Sequence, residues 1–421
     1  MASTAHSRGI WRTTLALIFL LSSALVPTQA QTFTVLHTFE GSDGAFPTGQ
    51  LVRDAVGNIY GTTSEGGTDK RCSCGTVFKM NKNGKLIWLY SFDRKNGRIP
   101  SAGLLRDPAG NLFGVTAQGG GTDLCQPYGC GEVFKLSAAK KETVLHRFTG
   151  DPDGYSPESL LVEDSAGTLY GTTFVGGAYG RGAVFSVDSK GNEAVLYSFT
   201  GGADGEEPLP GVIRDASGNL YGVTLLGGAY DAGAVFELDT TGKESVLYSF
   251  TGGTDGSGPF SELTADASGN LYGLTTGGGN LGCSAGSGCG VVFELSPNSD
   301  GWKETTLYVF CSLSNCADGE SPTGGPLVLD RAGNLYGVTY YGGTSQCFGG
   351  SGCGVVFELD AGGKETVLHS FTGGTDGGEP LKGLTIDAAG NLYGATELGG
   401  DIACKADHSE QGCGVVFKIM P

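Results

Sequence analysis

Seven tandem copies of one unit are the feature that most limits the folds open to this chain of 421 residues. Three landmarks recur at intervals of roughly 50 to 60 residues, which is the spacing of propeller blades rather than of leucine-rich or ankyrin repeats. The first landmark is the phenylalanine that ends an apolar run, found at Phe39, Phe92, Phe148, Phe199, Phe250, Phe310 and Phe371. The second is an aromatic-Gly pair at Tyr60, Phe113, Tyr170, Tyr221, Tyr272, Tyr336 and Tyr393. The third is a Val-Phe pair ending at Phe78, Phe134, Phe185, Phe236, Phe293, Phe357 and Phe417.

Each unit contains four short strand candidates, which in the fourth copy are Gly211–Arg214, Asn219–Val223, Ala234–Leu238 and Ser245–Phe250. These runs are rich in β-branched, aromatic and Leu residues and are bounded by Gly, Asp, Asn or Ser. No amphipathic helical pattern interrupts the repeats. The sequence therefore predicts an all-β, seven-bladed β-propeller with four-stranded blades.

Turn chemistry and the chain ends refine this prediction. Asp215–Asn219 reads as a hairpin turn between the first two strands, and Gly222 is expected to admit the ring of a neighbouring blade. The chain from Thr32 to Phe39 matches a fourth strand, whereas Val415–Ile419 matches a third. We therefore expect the N-terminal strand to complete the C-terminal blade and close the ring.

Residues 1–30 have the pattern of a signal peptide, with Arg8 and Arg12 before the apolar run Leu15–Val26 and a small-residue site ending at Ala30. The propeller would then occupy residues 31–421, exported to the periplasm or the exterior. No second long apolar run follows, so no membrane insertion is expected after cleavage. Residues 1–30 contain two arginines and no acid, so the net charge of −18 becomes −20 without them. Such a surface disfavours nucleic acid and suits cations, neutral sugars or simply solubility.

Twelve cysteines in an exported chain predict a disulfide framework. The expected pairs within loops are Cys125–Cys130, Cys283–Cys289, Cys347–Cys353, Cys404–Cys413 and Cys311–Cys316. Cys72 and Cys74 occupy the same place, but a bridge across one residue is strained, so this pair is left open. A zinc site is the alternative reading of these cysteines. It is disfavoured because no histidine shares the pattern.

The long loops between the second and third strands, and between the fourth strand and the next first strand, should share one face of the ring. Asp-Gly-x-x-Pro recurs there, so its carboxylates form a ring that is either a Ca²⁺ or sugar-hydroxyl site or repeated turn chemistry. His408 is the one histidine after residue 30 outside the repeat pattern, and it is a candidate acid or base or a solvated loop residue. Candidate ligand-binding residues on this face are Asp204, Glu206, Glu207, Glu379, Tyr340, Tyr341 and His408.

The motif Asp-x-x-Gly-Asn-Leu-Tyr-Gly-x-Thr, followed by Gly-Gly and Gly-x-Val-Phe, resembles the GloVer-type tandem repeat of exported bacterial choice-of-anchor proteins. The clearest matches are residues 215–224, 266–275, 330–339 and 387–396. The resemblance covers nearly the whole chain after residue 30 and implies an exported bacterial repeat protein, but it implies no activity. This chain ends at Pro421 without the sorting or membrane tail of the anchored members, so surface attachment is left open.

Function is less constrained than fold, because no nucleophile elbow, P-loop, dinucleotide fingerprint or His-Glu-x-x-His motif is present. The leading hypothesis is a secreted, monomeric binding module whose disulfide-pinned loops contact a glycan or a surface protein. The alternative is a glycan-active hydrolase or lyase that uses carboxylates at the channel mouth. A structural envelope protein is the third reading. Residues that occur in only one blade should discriminate among the three.

Overall fold

Short runs of β-branched and aromatic residues fold into four-stranded antiparallel sheets in every repeat. The structure, a computed structural model, describes residue 1 and residues 31–420 except 70, 71, 122, 123, 284, 285, 346, 348, 349 and 405–410. Residues 2–30 of the predicted signal peptide lie outside the described residues. The unit from Gln31 onward is a seven-bladed β-propeller, which confirms the fold class expected from the repeats.

In blades 1 to 4 the four strands of each sheet lie side by side in the order in which they occur in the sequence. Blade 1 contains β2 (Val52–Arg53), β3 (Ile59–Thr63), β4 (Thr76–Met80) and β5 (Leu86–Ser91). Blade 2 contains β6 (Leu105–Arg106), β7 (Leu112–Thr116), β8 (Glu132–Leu136) and β9 (Glu142–Arg147). Blade 3 contains β10 (Val162–Glu163), β11 (Leu169–Thr173), β12 (Ala183–Val187) and β13 (Glu193–Ser198). Blade 4 contains β14 (Val212–Arg214), β15 (Leu220–Thr224), β16 (Ala234–Leu238) and β17 (Glu244–Ser249).

In blades 5 and 6 the first strand is split into two short segments that pair with the same second strand. Blade 5 contains β18 (Ser257–Pro259), β19 (Thr264–Ala265), β20 (Leu271–Gly277), β21 (Val291–Asn298) and β22 (Gly301–Val309). Blade 6 contains β23 (Glu320–Pro322), β24 (Val328–Leu329), β25 (Leu335–Tyr341), β26 (Val355–Leu359) and β27 (Glu365–Ser370). A short 3₁₀ turn, Ser314–Cys316, lies in the loop between them.

Blade 7 joins the two ends of the chain, as the sequence predicted. It contains β28 (Thr385–Ile386), β29 (Leu392–Thr396), β30 (Val415–Met420) and, as its fourth strand, β1 (Thr32–Thr38). The register runs from Thr32 opposite Met420 to Thr38 opposite Val415. This pairing gives blade 7 its fourth strand and removes two open sheet edges.

The landmark phenylalanines form the core between blades. Each phenylalanine after a fourth strand meets, edge to face, the phenylalanine in the third strand of the next blade, as in Phe199 and Phe236 with ring centroids 5.1 Å apart. Both rings are fully buried, and the same contact recurs at all seven interfaces. Such pairs add about 0.5–1.5 kcal/mol beyond area burial, so the repeat stabilises every interface in the same way.

The role assigned to Gly222 is wrong in one respect. A Cβ at this position would lie 2.6 Å from Cζ of Phe236, which is the cross-strand partner within the same blade. The glycine thus makes room for its own blade's ring, because directly paired residues of adjacent strands are closer than residues of adjacent blades. The Asp215 turn is as expected: its carboxylate accepts hydrogen bonds from the Asn219 backbone N–H at 2.8 Å and from the Tyr221 hydroxyl at 3.3 Å.

Candidate functional site

The loops that follow every second and every fourth strand lie on one face of the ring, because these strands end on the same side of each antiparallel sheet. This face carries all six disulfides: Cys72–Cys74, Cys125–Cys130, Cys283–Cys289, Cys311–Cys316, Cys347–Cys353 and Cys404–Cys413. The pair that the sequence left open, Cys72–Cys74, is therefore formed. Six disulfides are typical of an oxidising, exported environment. Within the described part of the chain, no helix is long and apolar enough to span a bilayer.

The aspartates of Asp-Gly-x-x-Pro are hydrogen-bonded within their own loops. Asp204 accepts the Tyr197 hydroxyl at 3.0 Å and the backbone N–H of Thr200 at 2.8 Å. In other blades His37, His146, Tyr248, Tyr308 and His369 take the place of Tyr197. Burial raises the pKa of Asp204, but the hydrogen bonds from Thr200 and Tyr197 outweigh it, so that the pKa is lowered overall. The recurrence favours turn chemistry over a Ca²⁺ ring, because protein donors already occupy the carboxylate oxygens.

One cluster of described residues offers nitrogen and oxygen donors at metal-ligand spacing, and it consists of His146, Asp153 and Glu193. His146 Nε2 lies 3.0 Å from the Asp153 carboxylate, which repeats the Tyr-Asp contact of the other blades. The spacing of these three side chains would fit a small cation. The hydrogen bond between His146 and Asp153, however, is the contact that Tyr197 and Asp204 make in the next blade, so the repeat already accounts for it.

Glu206 and Glu207 are adjacent in sequence, but their side chains have different surroundings. Glu206 forms an ion pair with Arg181 of the preceding blade. Glu207 has a positive φ of 60°, and burial, with Glu206 beside it, raises the pKa of its carboxyl. Both belong to blade 4, whereas Tyr340, Tyr341 and Glu379 belong to blades 6 and 7. The structure therefore does not assemble the sequence-predicted candidates into one site. His408 lies outside the described residues.

Tyr340, Tyr341, Glu379 and Glu397 do converge, and we call them the mouth cluster. The Tyr340 hydroxyl donates to Glu397 Oε2 at 3.3 Å and also lies within hydrogen-bonding reach of Glu379. The Tyr340 and Tyr341 rings meet edge to face with centroids 4.7 Å apart. Backbone hydrogen bonds fix the two acids, since Glu397 N–H donates to the Glu379 carbonyl at 3.1 Å and Glu379 N–H to the Cys353 carbonyl at 2.9 Å. The disulfide of Cys353 thus supports the cluster.

The surroundings of the mouth cluster raise the pKa of both of its acids. Burial, and then the neighbouring Glu379, raise the pKa of Glu397 to about 7. Burial also raises the pKa of Glu379, which is 6% exposed, although the Tyr340 hydrogen bond opposes the shift. The pKa of Tyr340 is raised as well, through burial and the two carboxylates, so the phenol remains a hydrogen-bond donor.

A second group of blade-specific residues joins three blades that are not adjacent in the ring. Glu262 of blade 5 accepts a hydrogen bond from the backbone of Leu160 in blade 3 and faces Lys382 of blade 7. The Lys382 ammonium also lies 5.7 Å from the ring centroid of Phe260 in blade 5. Blades 3, 5 and 7 are not adjacent, so these contacts can form only near the axis. Lys382 is also close enough to Glu397 to lower its pKa, which links the axial pair to the mouth cluster.

Sequence reasoning missed Glu397, Glu262 and Lys382. The signal was present in the repeat alignment, because each occupies a slot that is not charged in the other blades. The residue after the second-strand threonine is, in chain order, Ser64, Ala117, Phe174, Leu225, Thr276, Tyr340 and Glu397. The residue before the buried first-strand Leu or Val is Gln50, Gly103, Leu160, Gly211, Glu262, Pro326 and Gly383.

The fold and these loops define a class: a disulfide-bonded, seven-bladed propeller built from tandem repeats. Residues 24–177 and 158–406 match the Gloeobacter/Verrucomicrobia repeat, and the chain belongs to that family. The family resemblance expected from the sequence motif is thereby confirmed. No protein in the curated set matches the chain significantly in sequence.

Solved structures that resemble the chain are distant in sequence. A fungal alcohol oxidase of the AA5 family, in complex with copper, has 12% identity and a TM-score of 0.52, and the match covers 93% of this chain and 76% of that one. The extracellular domain assigned to a one-component system of B. thetaiotaomicron has 10% identity and a TM-score of 0.51, covering 91% of this chain but 39% of that one. A gluconolactonase from Xanthomonas campestris has 16% identity and a TM-score of 0.40, covering 68% and 78%. At these identities the likeness concerns the fold alone.

Proposed function

We propose that this protein is an exported carbohydrate-binding propeller whose mouth cluster holds a neutral saccharide. The observation that carries the proposal is the convergence of two tyrosine rings and two carboxyl groups, contributed by blades 6 and 7. Binding sites for small molecules combine aromatic surface with a few convergent polar groups, and this cluster has both.

The chemistry of the cluster suits sugar hydroxyls. Glu379 and Glu397 can accept or share protons with hydroxyl groups, and the Tyr341 ring offers an aromatic face beside them. Glu320 and Glu65 add further negative charge nearby, since each acts electrostatically on a member of the cluster. An anionic ligand would therefore be repelled here, whereas a neutral polyhydroxylated ligand would not.

The test begins with a glycan array of residues 31–421, with and without Ca²⁺, and continues with affinity measurements on variants. Glu379→Gln should weaken binding of the best neutral hit by about tenfold or more, since one hydrogen bond to a charged group is worth roughly 1.5–3 kcal/mol. Tyr341→Ala removes the aromatic face and should weaken the same binding by roughly several-fold, since a ring contact is worth about 0.5–1.5 kcal/mol. Glu207→Gln is the matched control, because Glu207 precedes the proline of blade 4 with a similar positive φ. Tyr230→Ala controls for loss of an exposed loop tyrosine. Equal losses in the control variants would contradict the assignment.

A glycan-active enzyme is the second candidate, and one observation favours it. Glu397, with its pKa raised to about 7, lies beside Glu379, so one carboxyl can hold a proton while the other is ionised. Such a pair could protonate a leaving glycosidic oxygen and activate a water. Reducing-sugar release should be measured on every array hit. Turnover that Glu397→Gln abolishes while binding persists would establish the enzyme, and absence of turnover on all hits would reject it.

A further inference from the structure

A groove on the loop face of blades 2 and 3 differs in charge from the mouth cluster. Two adjoining clefts of about 280 and 400 Å³ share Gln126, Tyr128 and Gly129 in their walls. The first is also lined by Arg94, Lys95 and Arg98, and the second by Tyr155. We call this surface the basic groove. Its cations lie within five consecutive residues of a chain whose net charge is −18.

The second repeat achieves this charge by departing from the pattern of the other copies. Asn96 replaces the aspartate of Asp-Gly-x-x-Pro and keeps the structural contact, because its side-chain amide donates to the Tyr90 hydroxyl at 2.5 Å. Arg98 occupies the slot filled by Glu206 in blade 4 and by Glu320 in blade 6. The loop has therefore lost one negative charge and gained cations without losing the contact that shapes it.

Arg98 is held in place from two sides. Its Nη1 donates to Gln118 Oε1 at 3.0 Å, and its guanidinium carbon lies 5.2 Å from the ring centroid of Tyr128. The Cys125–Cys130 disulfide closes the loop that carries Tyr128, and the Tyr128 carbonyl accepts the Gly119 N–H at 2.8 Å. A planar cation held over a ring keeps its remaining donors in a fixed fork, which suits a carboxylate or sulfate group.

The aromatic surface of the groove remains accessible. Tyr128 is 56% exposed and Tyr155 is 39% exposed, so each ring can pack against the apolar face of a sugar. Asp93 and Asp69 line an adjoining cleft with Arg94 and Lys95. Glu158 accepts a hydrogen bond from the Ser156 hydroxyl at the edge of the second cleft, and Glu132 is paired with Arg147. The Asp93 carboxylate accepts the backbone N–H groups of Lys95 and Asn96 at 2.8 and 3.0 Å, which ties it to the loop.

Local charge decides what can bind here. At physiological ionic strength the Debye length is about 8 Å, so acids on distant blades are screened whereas the cations of the groove are not. We propose that the basic groove binds an acidic saccharide, with a sugar ring against Tyr128 and its carboxylate or sulfate group on Arg98. This inference rests on the proposed carbohydrate-binding function and assigns a second, anion-selective site on the same face.

The experiment compares residues 31–421 with variants by calorimetric titration. The probes are trigalacturonate, its methyl ester, in which the charge is removed from the same sugar ring, and a sulfated galactose trisaccharide. Wild-type protein should bind at least one acidic probe, more tightly than the methyl ester and less tightly as salt is raised. Arg98→Gln and Tyr128→Ala should each weaken that binding by roughly tenfold to a hundredfold. The preferred acidic probe identifies the group as carboxylate or sulfate.

Controls separate the possible failures. Lys190→Gln removes a cation from an exposed turn on the opposite face and should leave affinity unchanged. Arg94→Gln alters an exposed side chain and replaces Arg98→Gln if the latter fails to fold. Acidic binding that persists in both arginine variants, or that equals binding of the methyl ester, overturns the basic groove while carbohydrate binding stands. Failure of the wild-type protein to bind any saccharide, acidic or neutral, refutes the proposed function together with this inference.

Discussion

Glu262 should make the stability of the propeller depend on pH. Its side chain lies near the ring axis and is 8% exposed, with hydrogen bonds from its own backbone and from that of Leu160, and with Lys382 as its facing cation. Burial raises the pKa of this carboxyl from an ordinary 4.5 to about 7, and Lys382 only partly opposes the shift. The folded protein therefore holds a proton that the unfolded chain releases between these two values.

The sign and size of the effect follow from this difference. Because the folded state binds more protons than the unfolded state in this window, the free energy of unfolding falls as pH rises from about 4.5 to 7. A shift from 4.5 to about 7 corresponds to about 3 kcal/mol, fully lost once the pH is above the folded pKa. Glu262→Gln cannot ionise, so it should lack this contribution and be more stable than the wild type at high pH.

Urea unfolding followed by fluorescence at about pH 5 and pH 8 measures the difference. Other buried acids, such as Glu397 and Glu132, also have raised pKa values, so the wild-type pH dependence alone is not diagnostic. The decisive quantity is the loss between the two pH values in the wild type minus that in Glu262→Gln, expected to be about 2.5 kcal/mol because pH 5 already lies above the unfolded pKa. Glu40→Gln, at an exposed position, should behave as the wild type. A difference near zero would refute the assignment of Glu262 to a buried axial site.

Three further predictions follow from the fold. Gly222→Ala should destabilise the protein by about 1–3 kcal/mol in urea unfolding, because the new Cβ would lie 2.6 Å from Phe236 Cζ; an unchanged midpoint would show that the ring can move away. Deleting residues 31–39 should lower the melting temperature far more than deletion of an exposed loop, because it opens the sheet of blade 7; equal effects would argue against ring closure by β1. A thiol titration of the denatured, non-reduced protein should find no free cysteine, and several reactive thiols would contradict the six disulfides.

Much of the architecture could be predicted because it depends on local chemistry repeated seven times. The Asp215 turn, the four short strands and the buried Phe199 landmark each follow from residue type and spacing within one unit. The strands predicted in the fourth repeat lie within one residue of those observed, as with Ser245–Phe250 against Glu244–Ser249. Ring closure could be predicted as well, because the chain begins with an unpaired fourth strand and ends with a third.

The sequence indicates which residues belong to the loops but not which of them meet. Tyr340, Tyr341 and Glu379 were recognised as loop residues and do meet, but Asp204 is occupied by its own turn, and Glu206 pairs with Arg181. A turn aspartate and a binding aspartate have the same residue type and spacing, and only the hydrogen-bond partners distinguish them.

The sequence by itself determined the number of blades, their strands and turns, the order in which the ring closes and the cysteines that can pair. These properties depend on contacts within one repeat or between adjacent repeats, so the periodic pattern contains them. The tertiary structure alone decided that Leu160, Glu262 and Lys382, each about a hundred residues from the next, meet on one axis. It also decided that Glu397 lies beside Tyr340. The physical reason is that the distance between blades is set by closure of the whole ring, which no single repeat encodes.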